Sequence, residues 1–134
     1  MENKLCGLRI LVVENDPYSA ELFKFILEEL AEATVVTVAS AGEALLKLER
    51  YQPDILVSNL VLPELDGYSL LDLVRTYEKQ RGRSIVAVAV TLYSRDVNLA
   101  RIQSAGFQTY ISKPIDPELF VAKLASLVEF QKVS

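Results

Sequence analysis

Five short apolar runs alternate with five helical patterns, and this alternation constrains the chain more than any other feature. The runs are "LRILVV" (Leu8–Val13), "TVVTV" (Thr34–Val38), "DILVS" (Asp54–Ser58), "IVAVAVT" (Ile85–Thr91) and "TYIS" (Thr109–Ser112). They are short and mostly rich in β-branched residues, as strands are. The stretches after them have helical spacing: Pro17–Ala31, Ser40–Arg50, Tyr68–Gln80, Ser94–Ala105 and Pro117–Phe130. In the first helix, Leu22, Phe25, Ile26 and Leu30 share the predicted apolar face. Helix starts are marked by Asp16 before Pro17, by Ser40 with Glu43 three residues on, by Ser94, and by Asp116 before Pro117. Gly82 and Gly106 end helices, and Asp66-Gly67 is a turn feeding the third helix. A strand followed by a crossover helix and another strand gives a parallel sheet. The fourth run is apolar throughout, as a strand covered on both faces should be.

At 134 residues, with no linker, repeat or low-complexity segment, the chain reads as one α/β domain over residues 8–131, with tails at 1–7 and 132–134. No effector domain is expected after the last helix. The net charge of −4 and the lack of a basic run argue against direct nucleic-acid binding. There is no histidine, which removes serine–histidine triads, histidine zinc sites and a phosphohistidine role. The single Cys6 cannot form an internal disulfide and suits a cytoplasmic setting. No apolar run is long enough to span a membrane, and the first residues lack a signal-peptide pattern.

Ligands of such sheets bind outside the carboxyl ends of the strands. The first strand ends in Glu14-Asn15-Asp16, the third in Ser58-Asn59, the fourth in Thr91 and the fifth in Lys113-Pro114. Acid, amide, hydroxyl and ammonium would converge on one crevice. Taken singly, each has a plain structural reading: an N-cap, a strand end, a turn. Their joint arrangement is what points to a site.

These residues, with "LVSNLVLPELDGY", "VAVT" and "TYISKP" in that order, resemble the receiver domain of two-component response regulators over about Leu8 to Phe130. The resemblance implies a flavodoxin-like (βα)5 three-layer sandwich with a parallel sheet of order 2-1-3-4-5. It implies a phosphorelay signalling module, not an enzyme. By this likeness Asn59 matches the phosphoacceptor, Glu14 and Asn15 the acidic pair that holds Mg²⁺, Thr91 the switch hydroxyl, Lys113 the phosphoryl-binding lysine and Tyr110 the switch aromatic. Asp16 completes the acidic pocket.

Two positions depart from that pattern: Asn59 replaces an aspartate and Asn15 an acid. A carboxamide is a much poorer nucleophile than a carboxylate and cannot form an acyl phosphate. Two negative charges are also missing from the metal site, and Mg²⁺ sheds its water reluctantly. The expectation is therefore no tightly bound metal on Glu14, Asn15 and Asn59, and no other cofactor. A Lys113–Glu14 contact is expected, with the Asn59 side chain bonded to Lys113 or Thr91. Leu92 and Val61 add apolar bulk that could cover the site.

The leading reading is a receiver-type module acting by phosphorylation-independent protein binding. Its partner would be a histidine kinase, another regulator or an effector domain, or a second copy as a homodimer. The expected surface is the fourth helix, fifth strand and fifth helix, carrying Tyr110, Arg101, Phe120 and Lys123. The alternative is an ordinary phosphorylated receiver carrying an engineered Asp-to-Asn change, or a receiver fragment of a hybrid histidine kinase. A flavin- or nucleotide-binding protein is disfavoured because "ENDPYS" offers acids and a proline where a phosphate-binding loop needs glycines and free amides.

Overall fold

In the structure, a computed structural model describing residues 4–92 and 98–133, each apolar run forms a strand. The strands are β1 (Arg9–Val13), β2 (Thr34–Val38), β3 (Ile55–Asn59), β4 (Val86–Thr91) and β5 (Thr109–Ser112). The helices are α1 (Pro17–Phe25), α2 (Ala41–Tyr51), α3 (Gly67–Arg81), α4 (Leu99–Ala105) and α5 (Pro117–Val133). α1 runs on into a wider π-helical turn over Ile26–Leu30. All neighbouring strands are parallel, in the order β2-β1-β3-β4-β5. The parallel α/β sheet is the one expected from the alternation, and the strand order is the one the receiver resemblance implies.

The caps follow the local chemistry. Asp16, Ser40, Asp66 and Asp116 each accept a backbone N–H from the residue three positions on. Gly82 and Gly106 close α3 and α4 with positive φ. The described part of α4 is capped by Asn98, whose side chain accepts the Arg101 N–H. The predicted cap, Ser94, lies outside the described residues.

Both faces of the sheet are covered. Ile10, Val12, Ile55, Val57, Val88 and Val90 point to α1 and α5, against Phe23, Ile26, Leu27, Phe120 and Leu124. Leu11, Val13, Leu56, Ala87 and Ala89 point to α2, α3 and α4, against Ala44, Leu48, Leu70, Leu71 and Ile102. One prediction fails within this frame. The face of α1 against the sheet is Phe23, Ile26 and Leu27, whereas Leu22, Phe25 and Leu30 are 45%, 62% and 54% exposed. The helix is apolar on two sides, and of the four residues expected on the buried face only Ile26 lies there. Before β1, Leu5 is fully buried in the α1–α5 core, so packed chain begins ahead of Leu8.

Register levels the carboxyl ends of the central strands. Val13 sits opposite both Val38 and Ser58, Asn59 opposite Val90, and Thr91 opposite Ser112. The next residue of each strand or loop thus emerges at one height. Gly67 holds the return of the β3–α3 loop tight against β3. A Cβ there would overlap the Asn59 carbonyl oxygen and come within 2.9 Å of the Leu60 Cα.

Candidate functional site

A crevice of about 350 Å³ opens at these strand ends. Its floor is Glu14, Asn15, Asp16, Asn59, Thr91 and Lys113, and its rim is Leu60, Val61 and Leu92. Six polar residues singled out in the sequence therefore share one cavity. Leu92 and Val61 do line it, and both side chains remain largely exposed.

Glu14 is the hub. Its side chain is 1% exposed, and a buried carboxylate needs a countercharge and hydrogen bonds. It has both. Lys113 Nζ lies 2.7 Å from Glu14 Oε1. Glu14 Oε2 accepts the Asp16 N–H at 3.0 Å and the Asn59 Nδ2 at 3.3 Å. The Lys113–Glu14 contact is the one expected from sequence.

The amide partners differ from the expectation. Asn59 Nδ2 points to Glu14 and to Asn15 Oδ1 at 3.4 Å, not to Lys113 or Thr91. Its Oδ1 accepts the Val61 N–H at 3.4 Å. The physical reason is polarity: Glu14 supplies a full negative charge beside Asn59, and Lys113 is already satisfied by that same carboxylate. The backbone donors at Asp16 and Val61 were missed from the sequence, since a main-chain N–H leaves no side-chain signature. Among the described residues, no buried side-chain nitrogen or oxygen lacks a partner.

Asp16 faces solvent and caps α1. The hydroxyl of Ser19 donates to its carboxylate at 2.7 Å and holds its pKa below the ordinary aspartate value, helped by backbone N–H groups of the first turn.

Tyr110 does not line the crevice. It is half-buried on the α3–α4 side of the sheet, with Lys123 Nζ 5.1 Å from its ring centre and donating to its carbonyl at 3.0 Å. Arg101 lies 4.3 Å above the Tyr68 ring, which meets Phe107 edge-on. Phe120, expected on the outward surface, is instead buried against Phe23. It is part of the core that seats α5.

The other candidate acceptors lie away from the crevice. Ser58 is buried and donates to the Asn59 carbonyl. Asp54, at the opposite end of β3, accepts the Arg9 N–H, and Asp66 is the α3 cap.

Comparison with known proteins shows what the whole chain is similar to. The family model "Response regulator receiver domain" matches residues 10–125. A 14.6 kDa protein from the sodA1 3′ region of Leptolyngbya boryana is 42% identical over 114 residues, 84% of either chain. Response regulator Rre1 of Synechocystis is 31% identical over 131 residues, covering 95% of this chain. The matched part is only 54% of Rre1, so the chain spans about half the length of that relative. Among solved structures, the signal receiver domain of a Syntrophus aciditrophicus signal transduction histidine kinase superposes with a TM-score of 0.79 at 29% identity. That match covers 96% of this chain and 95% of the other.

Proposed function

The chain belongs to the response regulator receiver domain family, and from that premise we propose that it signals through protein binding without aspartyl phosphorylation. Receiver domains are signalling modules that act on protein partners. The observation that carries the finer reading is the bonding of Asn59. The residue at the tip of β3 is a carboxamide, and its two polar atoms are engaged by Glu14, Asn15 and the Val61 N–H. Asn59 and Asn15 bond each other, which supports reading the two amides as a matched pair.

The donor set does not suit a divalent cation. Of the two carboxylates in the crevice only Glu14 is buried, and Lys113 already neutralises it. Asp16 is turned to its capping role. Among the described residues, no group of three or more acidic, Cys or His side chains is placed to hold a metal. Mg²⁺ needs near-ideal octahedral oxygen geometry and gains little from two neutral carbonyls and a paired carboxylate. In this reading Asn59 Nδ2 takes the place of positive charge between Glu14 and Asn15.

The proposed partner is a kinase, another regulator or an effector domain, and the proposed surface is α4–β5–α5 with Arg101, Tyr110 and Lys123. The reading includes a reducing, cytoplasmic setting, which the single exposed Cys6 thiol suits. Among the described residues, no helix is long and apolar enough to cross a membrane.

Intact-mass measurement after incubation with Mg²⁺ and acetyl phosphate tests the proposal, with Asn59→Asp run in parallel. The parent is expected to gain nothing, and the variant to gain one labile phosphate. A phosphate on the parent sinks the reading.

A further inference from the structure

β2 is an edge of the sheet, and among the described residues no strand pairs with its outer side. The Thr34 N–H donates to the Leu8 carbonyl at 2.9 Å, and the Val38 carbonyl accepts the Glu14 N–H at 3.0 Å. Both residues thus turn their backbone toward β1. Alternation along the strand turns the N–H and C=O of Val35 and Thr37 outward. Natural sheets blunt such edges with lysine, proline, bulges or very short strands. The sequence Thr34-Val35-Val36-Thr37-Val38 carries no charge, glycine or proline. The opposite edge is handled differently: β5 has four residues, is followed by Lys113-Pro114, and has Lys123 lying across Tyr110.

α2 packs beside this open edge and presents a patterned face. Glu43, Leu46, Lys47 and Arg50 are all exposed, Leu46 at 77%. With Val38 they line a groove of about 300 Å³. The order is acid, leucine, base, base. Reversed against itself, the acid of one face meets the last base of the other, and Leu46 meets the aliphatic stem of Lys47.

We propose that β2 pairs antiparallel with β2 of a second copy of this chain, joining the two sheets into one. Centred on Val36, the outward groups of Val35 bond those of Thr37 in the other copy, and the reverse. The α2 helices then lie antiparallel, with Glu43 of each opposite Arg50 of the other and Leu46 filling the neighbouring groove. The acidic flank of α1, with Glu21 and Glu28, offers no such self-match beside its exposed Leu22 and Phe25. This surface lies outside α4–β5–α5 and does not rest on the Asn59 reading.

Sedimentation velocity on the whole chain over a concentration series tests it. The wild type is expected to sediment as a dimer. Thr37→Pro removes an outward N–H while sparing the β1 ladder and is expected to give a folded monomer. Arg50→Glu and Glu43→Arg each set like charges opposite one another twice, and each is expected to raise the dimer Kd at least about tenfold. Mixed together, these two variants restore opposite charges at both contacts and are expected to form a heterodimer, a recovery that simple misfolding cannot give. Circular dichroism confirms the fold of each variant. A wild type that stays monomeric to high micromolar concentration overturns the proposal and leaves the edge to another polypeptide. So does a dimer unaffected by Thr37→Pro and Arg50→Glu, or a mixture of folded variants that stays monomeric.

Discussion

Replacing Asn59 with Asp converts the donor at the centre of the site into a second carboxylate facing Glu14. The Asn59 Nδ2 to Glu14 Oε2 separation is 3.3 Å. Two unit charges at that distance repel by about 5 kcal/mol at an effective dielectric of ~20. The lost hydrogen bond to a charged acceptor adds about 1.5–3 kcal/mol. Lys113, 2.7 Å from Glu14, and proton uptake by the new acid relieve much of this. The expected net loss without metal is about 2–4 kcal/mol. Urea unfolding in EDTA should then show the midpoint falling by about 1–2 M for a chain of this size. Adding Mg²⁺ should recover much of the loss, because Glu14, Asp at position 59 and the Asn15 carbonyl now form a usable oxygen set. A ligand at about a hundred times its Kd stabilises by about 2.7 kcal/mol. The parent midpoint should not move with Mg²⁺. A variant as stable as the parent in EDTA, or a parent stabilised by Mg²⁺ as strongly as the variant, would falsify the claim that Asn59 fills the role of a cation.

Lys113→Met strips the countercharge from a carboxylate that is 1% exposed and should cost about 3–5 kcal/mol in thermal or urea unfolding. Adding Glu14→Gln to it should recover a large part, since no buried charge is then left alone; no recovery in the double variant would refute this account. Gly67→Ala drives a methyl into the Asn59 carbonyl and Leu60, and should cost several kcal/mol, about 3 or more, while opening the β3–α3 loop to hydrogen exchange. Asp16 titrates below its ordinary value in the fold because of the Ser19 hydroxyl. A depressed folded pKa stabilises above the unfolded pKa, and that contribution fades as pH falls through the unfolded and then the folded value. NMR titration should place the Asp16 midpoint below that of an unstructured aspartate, and Ser19→Ala should bring it back; an unchanged midpoint counts against the hydroxyl as the cause.

Much of this molecule could be read along the chain because its signals are local. A β-branched run of five residues, an aspartate before a proline and a glycine after a helix each act within a turn or two. They gave the five strands, the caps at Asp16, Ser40 and Asp116, and the helix ends at Gly82 and Gly106. The gathering of Glu14, Asn15, Asn59, Thr91 and Lys113 was legible too, because parallel strands bring their carboxyl ends to one side of the sheet. Local signals failed where two answers were locally equal. α1 carries apolar residues on both sides, so only the sheet beneath it selected Phe23, Ile26 and Leu27 over Leu22 and Phe25. Phe120 looked available on the outer face of α5 until Phe23 packed against it.

The sequence by itself determined the elements, the parallel character of the sheet and the chemistry of the strand ends, including the amides at positions 15 and 59. Only the tertiary structure decided how the Asn59 amide bonds. Its Nδ2 turns to Glu14 and Asn15, 45 and 44 residues away in the chain, and not to Lys113 or Thr91, because the buried Glu14 carboxylate is the strongest acceptor within reach. Pairings of that kind depend on distances and desolvation across the whole fold, and no window of the sequence contains them.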